Sequence, residues 1–151
     1  MDFIQIHSVI PSFLSSSEIT VSEIWGQEVC IRKGEYHLVS AVSGAGKSSL
    51  LSYIFGERVD YAGAIKFDDK LISTLTPSQW SSVRQSRIGF VFQGLRLFPE
   101  LTAFENISLK NRLTGSKTDA EIMTMLESAG LGGKRDEKAA RLSSDNNSAW
   151  L

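Results

Sequence analysis

Gly44, Gly46, Lys47 and Ser48 fall close together in the run Val-Ser-Ala-Val-Ser-Gly-Ala-Gly-Lys-Ser-Ser-Leu-Leu, from Val39 to Leu51. Those residue types at that spacing could hold phosphate. Glycine has no Cβ, so Gly44 and Gly46 allow left-handed backbone and close approach of a ligand. The successive N–H groups of Ser43, Gly44, Ala45 and Gly46 can then point into one concavity and bind phosphate oxygens. A helix opening at Lys47 would add its free N–H groups and partial positive charge. Lys47 would reach the β- and γ-phosphates, the Ser48 hydroxyl would bind Mg²⁺, and Ser49 could add a further phosphate contact. The expected ligand is a nucleoside triphosphate with Mg²⁺. The pattern ordinarily opens on Gly where this chain has Ala41. Alanine is the smallest replacement and fits if that position does not need a positive φ.

The loop must sit between a strand and a helix. Tyr36 to Val42 reads as the strand feeding it, and Lys47 to Phe55 as the helix leaving it, with Leu50, Leu51, Ile54 and Phe55 apolar. Strands are also expected at Phe3–Val9, Ile19–Ile24, Gln27–Arg32 and Gly63–Phe67, with a β-rich run at Arg87–Phe92. Pro11 to Ser17 reads as a loop and Lys33-Gly34-Glu35 as a turn. Thr76 before Pro77 marks a helix start. Helices are expected at Ala103–Leu113 and Asp119–Ala129. The second has Thr118 and Glu121 as a capping box, one face of Ile122, Met125, Leu126 and Ala129, and glycines at 130, 132 and 133 to end it.

The 151 residues suffice for one domain, and 42% hydrophobic with 22% charged residues is ordinary for a globular chain. A net charge of −1 makes no electrostatic case for nucleic acid. The single cysteine, Cys30, forbids an intrachain disulfide and reads as core in an apolar strand. No apolar run approaches a membrane span, and Asp2 without early Lys or Arg argues against a secretory signal. A cytoplasmic chain is expected. A GTPase would need an Asn-Lys-x-Asp motif, which the sequence lacks, and Asp60-Tyr61-Ala62-Gly63 follows the loop too soon for a D-x-x-G switch. For a small-molecule kinase, Arg84, Arg87, Arg96 and Arg112 would have to serve as acceptor and lid groups; they read as surface arginines.

Four segments in order resemble the ATP-binding subunit of ABC transporters, from about Ile4 to Ser144. They are the phosphate loop, Ile31-Arg32-Lys33-Gly34-Glu35, Arg87-Ile88-Gly89-Phe90-Val91-Phe92-Gln93, and the run Leu97 to Ile107. They look closest to the lipoprotein-release, macrolide-export and related importer branches. The resemblance implies an α/β fold of the P-loop NTPase type. It would hold an antiparallel β-subdomain, the P-loop strand and helix, and a helical subdomain, without the later core strands. The ligands implied are ATP and Mg²⁺. Gln93 matches the Q-loop glutamine, which contacts Mg²⁺ and the attacking water and senses membrane subunits; a polar residue merely ending a strand is the plainer reading. Phe13 falls where the family stacks an aromatic on adenine, and it reads equally as core. Asp69 stands where the family has a turn glycine, a position Asp tolerates.

The resemblance also implies partners: transporter membrane subunits through the Q-loop and helical region, and a second ATP-binding subunit. It implies a place at the inner face of the membrane. The family's signature loop, Asp-Glu strand and switch histidine do not occur in this sequence; Leu142-Ser143-Ser144 begins the signature and Asp145 to Leu151 departs from it. His7 and His37 lie too early for the switch position, and Glu100 and Glu105 lie in the wrong segment to activate water. A partial family domain over 1–144 with a non-family tail over 145–151 is expected, binding nucleotide without hydrolysis. A single inserted G before plausible codons for Asp145 to Leu151 converts the tail to Gly-Gln-Gln-Gln-Arg-Val-Ala-Ile. That spells the family's signature helix and expects a shifted reading frame; an arbitrary natural tail is the alternative. The rival function is a non-enzymatic nucleotide- or partner-binding remnant with no transport role.

Overall fold

β1 (Phe3–Pro11) is the spine of an antiparallel sheet. β2 (Glu28–Arg32) pairs on one side of it and β3 (Tyr61–Phe67) on the other, with the short β4 (Lys70–Leu71) beyond β3. The computed structural model describes residues 1–15, 17, 19, 21–92, 94 and 96–145, with side chains to 142. Ile6 sits opposite Val29 and Ile65, so its side chain is covered from both neighbouring strands. The register shifts between His7 and Ile10, where Ser8 takes a φ of 48°. Gly63 faces this bulge at a φ of 87°, and a Cβ there would fall on the Ser8 and His7 carbonyl oxygens. Only glycine permits that approach.

α1 (Lys47–Ile54) lays Leu50 and Tyr53 on this sheet. They form a core with Ile6, Val9, Trp25, Ile65, Phe67 and Ile72. α2 (Pro77–Ser86) opens on a Thr76–Gln79 capping box. Its Arg84 donates from Nε to the Phe55 carbonyl at 3.1 Å and from Nη2 to the Gly56 carbonyl at 2.9 Å. A cation thus closes the carbonyl end of α1, where the helix dipole favours it. Arg84 is therefore a structural residue.

The chain divides into two units, residues 1–90 and 91–151. The second unit holds α3 (Ala103–Thr114), α4 (Asp119–Ser128) and α5 (Ala139–Asp145). Its core is Ala103, Ile122, Leu126, Leu131 and Leu142. Thr102 with Glu105 and Thr118 with Glu121 close capping boxes at α3 and α4. The Asn106 side chain binds Phe98 N–H and the carbonyls of Phe98, Leu101 and Thr102, tying the preceding turn to α3.

Several expectations are corrected. Residues 36–42 and 87–92 belong to no strand, and 19–24 form none among the described residues. Tyr36, Leu38 and Val42 are 102%, 94% and 78% exposed, and Val91 is 71% exposed. An apolar run becomes a strand only against a neighbour, and the described strands are all committed to the antiparallel sheet. In place of a strand near residue 22, the Ser22 hydroxyl accepts from the N–H groups of Ile24 and Trp25, a local turn. Cys30 is exposed rather than core, because alternation along β2 turns Val29 and Ile31 inward instead. On α4 only Ile122 and Leu126 are buried; Met125 is half exposed, since the covering core spans a narrower stripe. The left-handed turn residue is Asp68, with a φ of 52°, rather than Asp69. Its carboxylate accepts from Asp2 N–H at 2.7 Å and Phe3 N–H at 3.2 Å. These backbone bonds hold the Asp68 carboxyl below its usual range.

Candidate functional site: the loop before α1

Gly44 and Gly46 adopt φ values of 87° and 91°, the left-handed region that the sequence pattern requires. Ala41 takes no positive φ, so its extra methyl is tolerated. Ala45 N–H bonds back to the Val42 carbonyl at 3.3 Å and turns the loop. Gly46 is the N-cap of α1, and Leu50 N–H to Gly46 O at 2.9 Å begins the helical ladder. The N–H groups of Lys47, Ser48 and Ser49 thus precede the ladder, as in every helix start.

Lys47 crosses its own loop. Its Nζ donates to the carbonyls of Ala41 at 2.6 Å and Val42 at 2.9 Å. Those bonds aim the ammonium at the loop instead of out to solvent. A Cβ on Gly44 would meet nothing within 4 Å, so the space over the loop is open. A cleft of about 610 Å³ adjoins it, lined by Trp25, Ala41, Val42, Gly44, Lys47 and Leu50 among others. The exposed Ser48 hydroxyl stands at the first turn of α1.

Two residues outside the motif set its geometry. The Trp25 indole N–H donates to the Ala45 carbonyl at 3.0 Å, and its ring edge would meet a Cβ on Gly46 at 3.0 Å. Trp25 is only 5% exposed and packs edge-on against Tyr53. Arg58 donates from Nη1 to the buried Ser49 hydroxyl at 3.0 Å and bonds Asp60 through Nε and Nη2. No spacing signal links Trp25 or Arg58 to the loop. Trp25 lies 20 residues before Ala45 and Arg58 nine after Ser49, and folding brings them to the loop.

Phe13 reaches the same place: its ring edge lies 3.4 Å from where a Gly46 Cβ would be, and the ring is 46% exposed. Gln93 lies outside the described residues, as do the side chains of Ser143 and Ser144 and the tail from 146. Among the described residues no group of three or more His, Cys, Asp or Glu side chains could hold a metal ion. The donor set at this loop is amides, one ammonium and hydroxyls. That suits phosphate oxygens, with a hard cation held by Ser48 and the phosphates themselves. The residues present fit both ATP and Mg²⁺.

Comparison with known proteins gives the family. The ABC transporter family model matches residues 26–147. The lipoprotein-releasing system ATP-binding protein LolD of Xanthomonas oryzae pv. oryzae is 34% identical over 121 residues, 78% of this chain and 50% of LolD. The macrolide export ATP-binding/permease protein MacB of Mannheimia succiniciproducens is 33% identical over 146 residues, 95% of this chain and 23% of MacB. Two dimeric structures of the ATP-binding cassette MJ0796, one with ADP and Pi, superpose with a TM-score of 0.74. Their identities are 23% and 25%, covering 93% of this chain and 63% of theirs. The chain thus spans half the length of the LolD relative. With the loop, its helix and the family match in agreement, the chain belongs to the ABC transporter family.

Proposed function

We propose that this chain is the ATP-binding part of an ABC transporter subunit and that, by itself, it binds Mg-ATP without hydrolysing it. The observation that carries this is the loop itself: left-handed Gly44 and Gly46 beneath an ammonium that Lys47 already holds across them. Ser43 to Ser49 would surround the phosphates, with Ser48 on Mg²⁺. Phe13 would stack on adenine, and Gln93 keeps the Q-loop role that the resemblance gives it. When bound, the Mg²⁺ ion neutralises charge between the phosphates. Lys47 does the same from the protein side, and the loop amides fix orientation. The one carboxylate among the residues lining the adjoining cleft is that of Glu23.

The parent assembly proposed is a pair of such cassettes on membrane subunits, at the inner face of the membrane. Relatives named as ATP-binding and permease proteins and the dimeric cassette support that reading. Residues 1–144 would be the family domain and 145–151 a tail. The rival reading is a non-enzymatic nucleotide- or partner-binding remnant with no transport role.

Titration with Mg-ATP beside single-turnover hydrolysis tests both. Saturable binding, weakened at least about tenfold by Lys47→Ala, is expected, because a charged hydrogen-bond donor is lost. Turnover should stay at background. Binding indifferent to Lys47→Ala overturns the nucleotide reading, and Lys47-dependent turnover overturns the binding-only part.

A further inference from the structure

Arg58 follows α1 and reaches Phe13, Tyr53, Ser49 and Asp60. Its guanidinium carbon lies 5.5 Å from the Phe13 ring centroid and 5.4 Å from that of Tyr53. Its Nη1 reaches the Ser49 hydroxyl in the first turn of α1 at 3.0 Å. Nε donates to Asp60 Oδ1 at 2.9 Å, and Nη2 to Oδ2, a two-point carboxylate contact. Asp60 is anchored in turn: its carbonyl accepts from Ser12 N–H at 3.0 Å and from the Tyr53 hydroxyl at 3.3 Å. Arg58 therefore joins the turn carrying Phe13 to the helix carrying the phosphate loop.

We infer that Arg58 is a positioning residue for nucleobase binding: it holds the Phe13 ring beside Gly46 so that a purine can stack on the ring's other face. This rests on the proposed nucleotide reading and extends it to a residue outside the loop. A phenyl ring that is 46% exposed has rotational freedom to lose on binding. A guanidinium on one face restrains the ring beforehand and attracts its π electrons. The Arg58–Asp60 pair fixes the guanidinium plane, which lysine cannot reproduce because its charge is a point on a flexible stem. The Ser49 hydroxyl accepts from Arg58 and keeps its own O–H as a donor.

Comparing Mg-ATP with Mg-tripolyphosphate, which has no base, isolates this role. Arg58→Ala should weaken Mg-ATP about fivefold, in line with an exposed cation–π contact plus lost restraint, and leave tripolyphosphate within about twofold. Arg58→Lys should behave like Arg58→Ala. Phe13→Ala should weaken Mg-ATP similarly, and adding Arg58→Ala to it should bring little further loss. Asp60→Asn, which keeps side-chain volume, should give a smaller loss of the same kind and guards against misfolding of the Arg58 variants. Equal weakening of both ligands, additive losses in the double variant, or full rescue by Arg58→Lys each overturns the positioning role. Wild-type chain that binds neither ligand, or binding indifferent to Lys47→Ala, removes the nucleotide reading and this inference with it. Lys47-dependent tripolyphosphate binding with equal Mg-ATP affinity in wild type and Phe13→Ala removes only the inference.

Discussion

The indole N–H of Trp25 donates to the carbonyl of Ala45 at 3.0 Å, fastening the loop before α1 to the sheet core. Trp25→Phe keeps an aromatic ring there but removes this bond and part of a buried side chain. A hydrogen bond of this kind is worth about 1 kcal/mol. The expected result is a thermal midpoint lower by about 2–6 °C, with Mg-ATP binding weakened several-fold. Calorimetric melts and ligand titration of the same samples check both. Unchanged affinity beside a lowered midpoint would limit Trp25 to stability.

Gly44 and Gly46 differ in what a methyl would meet. At Gly44 the surroundings are open, and alanine suffers only left-handed strain, about 1–2 kcal/mol. At Gly46 the same strain is joined by the Trp25 ring at 3.0 Å and the Phe13 ring at 3.4 Å. Gly46→Ala is therefore expected to destabilise more than Gly44→Ala and to disturb Trp25. Tryptophan fluorescence and urea midpoints of the two variants give the order; equal midpoints contradict it.

Leu38 and Tyr36 present apolar surface on a run without strand partners among the described residues. Unpaired apolar backbone invites pairing with other chains, and a charge blocks it. Leu38→Lys and Tyr36→Lys should reduce light scattering on concentration at an unchanged melting temperature. The chain alone is expected to melt broadly and at modest temperature. A sharp, high transition from a monomer contradicts that, and variants that scatter as strongly as wild type contradict the edge argument.

Glu105 and Glu121 close the capping boxes of α3 and α4. Each carboxylate accepts from the N-cap backbone, Thr102 N–H and Thr118 N–H, both at 2.8 Å. Those backbone bonds, then the threonine hydroxyls, hold both carboxyls below the usual glutamate value of 4.5. The folded pKa is depressed, so the stabilisation is fully present above about 4.5 and is lost as pH falls through the folded value. Carboxyl chemical shifts against pH should show both midpoints below that of a free glutamate. Thr102→Ala should cost about 1 kcal/mol at neutral pH, and it should bring the Glu105 midpoint back toward 4.5. A midpoint unmoved by that substitution contradicts the capping account.

The sequence by itself determined the local features of this protein. Gly44 and Gly46 fix the loop because only glycine takes those angles cheaply, and the structure shows both at positive φ. Thr76 and Thr118 mark helix starts because capping lies within four residues. The family, too, was legible, from four segments in order. Tertiary structure alone decided what touches the loop. Trp25 reaches Ala45 across 20 residues of chain, and Arg58 reaches Ser49 once α1 has formed. Tyr36 to Val42 reads as a strand because its residues are apolar and β-branched, yet it is not one. A strand is a property of two segments, since its hydrogen bonds leave the chain that makes them. A glycine turn or a helix cap closes its bonds within a few residues, so one short stretch of sequence contains the whole of it.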